Sequence, residues 1–362
     1  MLLFSVQPVH HRGQPVGEFM TVAKSLLRFA AVVAVLFGSA WGSAHAQTKL
    51  KVILDWKYQG QMGFYFLAAD RGYFTAEGLD VSFDQGVGAG GAAPKVASGA
   101  YDIGFGSLDS VIHLQATRPE VAPVAVFQVY NRTPYVIAVK SQSSINAAKD
   151  VEGKTIGGPV FDGAFRLFPT FAKMAKIDAS KVKVTNMAPN LRAQMLMRGD
   201  IDGAFAFHTG IYMDTKALGA NPDKDLRFIK YADYGLDLYS NAIIVSKALI
   251  KDNPNAVKGF VRALNRGIKD SKADPVAAVK SVLKREPLLN EEIERQRLAL
   301  TFALDMGAPE TEQIGLGDVL DSRVKRNIQI VVQANQLSRS PEPGEVFDRG
   351  FLPPMTERIK KF

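Results

Sequence analysis

A short apolar strand that passes through a glycine-containing turn into a helix recurs along this chain, at intervals of about 25 to 30 residues. The first strand reads over 50–55 and is followed by a polar loop, 56–63, and a helix, 64–71, that Gly72 ends. A second strand over 79–83 alternates and enters Gly86-Val-Gly-Ala-Gly-Gly91, then a helix through Val96 and a third strand over 102–105. Such alternation builds an α/β layout, a mainly parallel sheet flanked by helices, and places ligand-binding loops after the carboxyl ends of the strands.

With 362 residues the chain exceeds one ordinary domain. Beyond a strand over 121–130, Asn131-Arg-Thr-Pro134 interrupts the pattern and a second α/β run begins. It holds strands near 135–139, 154–157, 183–186 and 204–207 and helices over 164–176 and 191–198, and it hands back near 231–241. Amphipathic helices follow over 256–272, 275–285, 290–302 and 322–335, expected to pack on the first lobe and cross behind a cleft. The pattern predicts two lobes, 47–131 with 237–362 and 132–236, joined by two crossover strands that act as a hinge.

Before residue 47 a basic stretch (Lys24, Arg28), an apolar run over 29–37 and the ending Ala44-His45-Ala46 form the pattern of a secretory signal peptide cut before Gln47. The run is too short to span a bilayer. Met20, followed at once by Thr-Val-Ala-Lys, offers an alternative start for this 1–46 leader. Without the leader 41 basic residues face 35 acidic ones, a net charge of +6 over 316 residues. The basic residues are scattered, with no five-residue run, so no nucleic-acid partner is expected.

The chain has no cysteine, which excludes disulfides, thiolate metal sites, a cysteine nucleophile and a lipidated cysteine. Past the leader only His113 and His208 remain, too few for a histidine-built zinc site. The expectation is a monomeric periplasmic protein, neither lipid-anchored nor cofactor-dependent.

Gly86-x-Gly88-x-x-Gly91 matches the dinucleotide fingerprint, but it follows the second strand of an exported chain. A glycine nest for a ligand's polar group, or a bare tight turn, are the competing readings. Gly157-Gly158-Pro-Val-Phe-Asp162-Gly163 is its counterpart in the second run, and two such turns face to face would clamp a cleft. Trp56 sits after the first strand beside Gln59 and Gln61, a flat ring with amide donors suited to a flat polar ligand. Asp109 and Asp162 stand where each could cap a helix or face the cleft. His208 ends the strand that contains Phe207, where a ligand-facing side chain is expected, whereas His113 lies within a helix. No Gly-x-Ser-x-Gly, His-Glu-x-x-His or phosphate loop occurs, so binding outranks catalysis.

Leu54-Asp55-Trp56, Gly72-Tyr73-Phe74, Glu77-Gly78-Leu79-Asp80-Val81, Val96-Ala97-Ser98-Gly99 and Asp102-Ile103-Gly104 together resemble the substrate-binding proteins of ABC importers. Taurine, sulfonate and nitrate binders share these motifs. Glu152-Gly153-Lys154-Thr155, Leu236-Asp237-Leu238-Tyr239 and Val346-Phe347-Asp348-Arg349-Gly350-Phe351-Leu352-Pro353 are similar to the branch that captures thiamine pyrimidine precursors such as formylaminopyrimidine.

The resemblance implies a two-lobed periplasmic-binding-protein fold of type II, a cleft ligand, and a membrane permease with its ATPase as partners. Carried over by position, it implies a pocket using Trp56, Gln61, Asp109, the 158–163 turn, Phe207, His208 and Tyr239; Gly88 joins from the first glycine turn. Where pyrimidine binders continue Leu-Asp-Trp with Thr-Pro-Asn and a histidine, this chain has Lys57-Tyr58-Gln59-Gly60-Gln61-Met62, and a usual Gln-Glu pair is Leu108-Asp109. A sister group makes the pyrimidine through a cysteine cluster, which a chain without cysteine lacks. The alternative ligand is a small organic anion, a sulfonate, taurine or an aromatic carboxylate, and it predicts Arg166 or Arg192 at the cleft.

Overall fold

Ten strands make two five-stranded sheets in a computed structural model that describes residues 1, 3–8, 10 and 47–362. The signal-peptide segment and Met20 lie outside the described residues. Gln47–Phe362 is one compact unit. The strands, in chain order, are β1 (Thr48–Ile53), β2 (Leu79–Asp84), β3 (Ile103–Ser107), β4 (Val124–Gln128), β5 (Tyr135–Lys140), β6 (Thr155–Gly158), β7 (Lys183–Asn186), β8 (Gly203–Phe207), β9 (Leu226–Lys230) and β10 (Asn241–Val245).

The first sheet has the order β2-β1-β3-β10-β4 and the second β7-β6-β8-β5-β9. In each, three strands joined by helices pair in parallel, as the alternation predicts. Each sheet also admits one reversed strand. β10 lies antiparallel to β3 and β4, and β5 antiparallel to β8 and β9. Both are strands on which the chain arrives from the other sheet, so no crossover helix forces them parallel.

The sheets are padded on both faces. Phe64, Phe66, Phe260 and Leu264 cover one face of the first sheet, and Val96, Val111, Ile112 and Val331 the other. Burying each such large side chain contributes about 1.5–3 kcal/mol. The helix Pro254–Ala273 shows how the sequence achieves this. Asn253 caps it by accepting from the Ala256 N–H at 3.1 Å, proline opens its first turn, and Val257, Phe260, Val261, Leu264 and Ile268 bury one stripe. Asp274 then ends it and caps the next helix, Pro275–Leu283.

The helix Glu291–Leu300 is capped by Asn290, carries three glutamates in its first turn and continues as a π-turn, Thr301–Met306. It packs against the helix His208–Ala217 of the second sheet, so the carboxyl-terminal helices reach across both sheets. The connections between β4 and β5 and between β9 and β10 run side by side: the Tyr130 N–H donates to Asn241 O at 2.9 Å and the Ser240 N–H to Tyr130 O at 3.1 Å. Among the described residues no helix is long and apolar enough to cross a membrane.

Candidate functional site

The loops after the strands and the carboxyl-terminal helices enclose a cavity between the two sheets. β1 delivers Asp55 and Trp56, the turn that follows delivers Gln61, and the end of β4 leads to Tyr130. From the second sheet come Asp162 after β6 and Phe207, Thr209 and Gly210 at the end of β8. Arg192 enters from the first turn of the helix Arg192–Arg198, and Arg297, Thr301 and Asp305 from the π-turned helix. This is the position the strand-end rule assigns to a ligand.

Both arginines are buried and already paired. Arg192 donates from Nη1 to Asp162 Oδ2 at 2.8 Å and to Phe205 O at 3.2 Å, and its guanidinium lies 4.9 Å from the centroid of the Trp56 ring. Asp162 uses its other oxygen to cap the helix Gly163–Arg166 through the Ala164 N–H. Arg297 pairs with Glu294 at 2.9 Å and with Asp214 at 3.1 Å. Glu294 also accepts from the Gly60 N–H, and Asp214 from Gln59, so the loop after β1 is tied to both neighbouring helices. Burial opposes the charge of Asp214, but Arg297, Lys57 and Arg192 outweigh it and hold that carboxyl below its ordinary range.

Two other carboxyls behave in the opposite way. Burial pushes Asp55 up to about 7, against the pull of the Asn241 amide, which donates to its Oδ2 at 2.7 Å. Burial likewise pushes Asp305 up to about 7. Neither carries a salt bridge among the described residues, and the second oxygen of Asp55 has no hydrogen-bond partner. Gln61 Oε1 and Arg192 Nε are also buried without partners. The site therefore offers aromatic faces from Trp56, Tyr130 and Phe207 with carboxyl and amide groups placed to meet a polar edge.

Of the residues singled out from sequence, Trp56, Gln61, Asp162 and Phe207 line this cavity, and so does Arg192. The remaining ones are not part of its lining. Gly88 donates its N–H to Asp55 O at 2.8 Å and packs against the backbone of Phe161, so the two glycine turns meet each other directly. Gly158 is a sheet residue packed on Phe205. Asp109 is buried in the first turn of the helix Leu108–Thr117, where Tyr135 donates to it at 3.3 Å. The His208 ring packs on Phe228 and Tyr212. Tyr239 accepts from the Leu320 N–H at 2.9 Å and lies under Arg323. Arg166 lies with its stem against Gly90.

Tyr130 is one of the aromatic residues that the sequence concentrates at strand ends, whereas Asp55, Thr209, Arg297, Thr301 and Asp305 carry no mark of their own as ligand contacts. Asp55 and Tyr130 stand at strand ends, the same signal that marks Trp56. Arg297, Thr301 and Asp305 share one face of a helix about 250 residues downstream, and nothing local marks that face as lining a site.

Residues 59–278 match the family described as NMT1/THI5 like. The riboflavin-binding protein RibY of Chloroflexus aurantiacus is 26% identical over 296 residues, 81% of this chain and 83% of that one. The formylaminopyrimidine-binding protein of Halalkalibacterium halodurans is 23% identical over 258 residues, 69% of this chain and 76% of its own length. Among solved structures, the alkanesulfonate-binding protein SsuA of Xanthomonas axonopodis pv. citri superposes with a TM-score of 0.64 at 13% identity, covering 84% of this chain and 99% of SsuA. That likeness is one of fold, the two-lobed periplasmic-binding-protein architecture. By its match over more than half its length, the chain belongs to the NMT1/THI5-like family.

Proposed function

We propose that this protein is the periplasmic solute-binding component of an ABC importer, one that encloses a nitrogen heteroaromatic ligand, such as a thiamine pyrimidine precursor, and presents it to a membrane permease. The lobes are 47–131 with 237–362 and 132–236, closing about the two crossovers. Binding favours the closed form, which the permease reads; the protein itself carries out no reaction.

The observation that carries the choice of ligand is the division of charge in the cavity. Its two arginines are occupied by Asp162, Glu294 and Asp214, while among the described residues Asp55 and Asp305 form no salt bridge, Arg132 acting on Asp305 only from a distance. An anion would meet cations already paired with carboxylates; a ring that presents amino donors beside a nitrogen acceptor meets carboxyls that can both accept and, while protonated, donate. Two relatives are named for nitrogen heteroaromatic ligands.

Native mass spectrometry of the protein as purified, followed by thermal shift against aminopyrimidines, flavins, alkanesulfonates and aromatic acids, tests this. Stabilisation by a pyrimidine or flavin, weakened at least tenfold in affinity by Trp56→Ala, is the expected result. The unpartnered Arg192 Nε favours a second reading, a small organic anion. Stabilisation by sulfonates or carboxylates alone would establish that reading in place of the first.

A further inference from the structure

We infer that the cavity takes up its ligand together with one proton, held between Asp55 and a ring edge that presents an acceptor beside a donor. This rests on the heteroaromatic ligand proposed above and adds the group that recognises it.

The geometry is that of a half-used carboxyl. Asp55 is 6% exposed and lines the cavity. One oxygen is fixed by the Asn241 amide at 2.7 Å, and the other, Oδ1, has no hydrogen-bond partner among the described residues. The groups around it are acids and phenols. Asp162 and Asp305 add negative charge, and Asp55 in turn bears on the phenols of Tyr65 and Tyr130. Arg192 and Arg297 line the same cavity, but their ion pairs are with Asp162, Asp214 and Glu294. Closing a ligand over an ionised Asp55 would leave a buried charge without a partner.

A protonated Asp55 presents an O–H donor beside a carbonyl acceptor, the complement of a ring nitrogen flanked by an amino group. If the proton crosses to the ring nitrogen, the pair becomes carboxylate and ring cation with the same proton count, so the complex holds one proton wherever it sits. Burial already pushes Asp55 up to about 7. Below that pH the proton is in place before binding; above it the proton must be taken up with the ligand. Affinity should therefore fall by up to about tenfold per pH unit above about pH 7.

The test is isothermal titration calorimetry of the purified protein with 4-amino-2-methylpyrimidine from pH 6 to pH 9, in pairs of buffers that differ in ionisation enthalpy. Uptake of about one proton per ligand at pH 9, shrinking as the pH is lowered to 7, and an affinity about 50-fold weaker at pH 9 than at pH 7 are expected. Asp55→Asn keeps a donor beside an acceptor without a titrating proton. Whatever its absolute affinity, it should bind with no proton uptake and no pH slope. Asp305→Asn should keep both. Wild-type binding without uptake and level to pH 9 would overturn the inference while leaving the ligand class intact. A slope lost in Asp305→Asn would also overturn it. If neither this pyrimidine nor a flavin binds at any pH, the ligand class falls and the inference with it. The wild-type proton count with Asp305→Asn decides the matter should Asp55→Asn fail to fold.

Discussion

Phe207 and His208 are adjacent at the point where β8 becomes a helix, and they serve opposite sides of the backbone. Side chains alternate at a strand end, so with Phe207 lining the cavity the His208 ring goes to Phe228 and Tyr212. Burial pushes its imidazole down to about 4. In the unfolded chain the same group titrates near 6.5, so between these values the unfolded state binds the extra proton. Folding stability from this residue is whole above about pH 6.5 and is lost as the pH falls toward 4. Urea unfolding of wild type and His208→Gln at pH 7.5 and pH 4.5 should show wild type losing about 2 kcal/mol more than the variant between the two conditions. Equal losses would mean the ring is not held neutral. The same alternation explains what could be read of the site beforehand. Trp56, Gln61, Asp162 and Phe207 follow strands, where a ligand is expected, and His208 was placed there because a strand end was located but not its phase. Asp305 and Arg297 reach the cavity only through the packing of a distant helix, and no spacing in the sequence encodes that.

At the level of elements, period and punctuation carried most of the fold. The strand expected over 183–186 is β7, that over 79–83 is β2 with one residue more, and the helix over 256–272 extends to Pro254–Ala273. Strand direction was less legible, because a fully buried strand such as β5 or β10 has the same apolar run whichever way it points. The glycine turns illustrate a motif whose presence was evident and whose use was not. The Gly88 N–H is taken by Asp55 O, and its φ of 149° with close contact to Phe161 shows why glycine is required there. A Cβ at this position would stand 2.1 Å from the Phe161 carbonyl, and beside it the Gly90 N–H donates to the same carbonyl at 3.0 Å. The contact joins the turn of one sheet to the turn of the other. Gly88→Ala should accordingly weaken ligand binding at least tenfold by obstructing closure, with a smaller proportional effect on thermal unfolding, because neither sheet's core is touched. Calorimetry and a melting curve on one preparation check this; unchanged affinity would show that the turns need not meet for the ligand to be held.

For the molecule as a whole, the question is what keeps two sheets in register when the chain passes between them only twice. Among the described residues, Arg323 on the helix Asp321–Ala334 ties both passages. It donates to Asn131 O at 2.7 Å on the first, and to Asp237 Oδ1 at 2.9 Å and Leu238 O at 3.5 Å on the second. It also pairs with Glu310 at 2.8 Å and lies over the Tyr239 ring at 4.2 Å. Thr133 adds a direct link, donating to Leu238 O and accepting from the Leu238 N–H, each at 2.6 Å. A planar fork with five donors suits several acceptors arranged about one point, which an ammonium cannot reproduce. Arg323→Ala takes their shared donor from Glu310 and the Asn131 carbonyl and should cost about 3 kcal/mol in urea unfolding, with Arg323→Lys recovering only part of it. If the crossovers are the hinge, the same variant should also loosen it: small-angle scattering of the ligand-free protein should give a larger radius of gyration than wild type, and ligand affinity should drop as the closed form becomes less populated. Loss of stability with unchanged dimensions and affinity would confine Arg323 to holding the fold. Wild-type stability in Arg323→Ala would show that the passages are kept together without it.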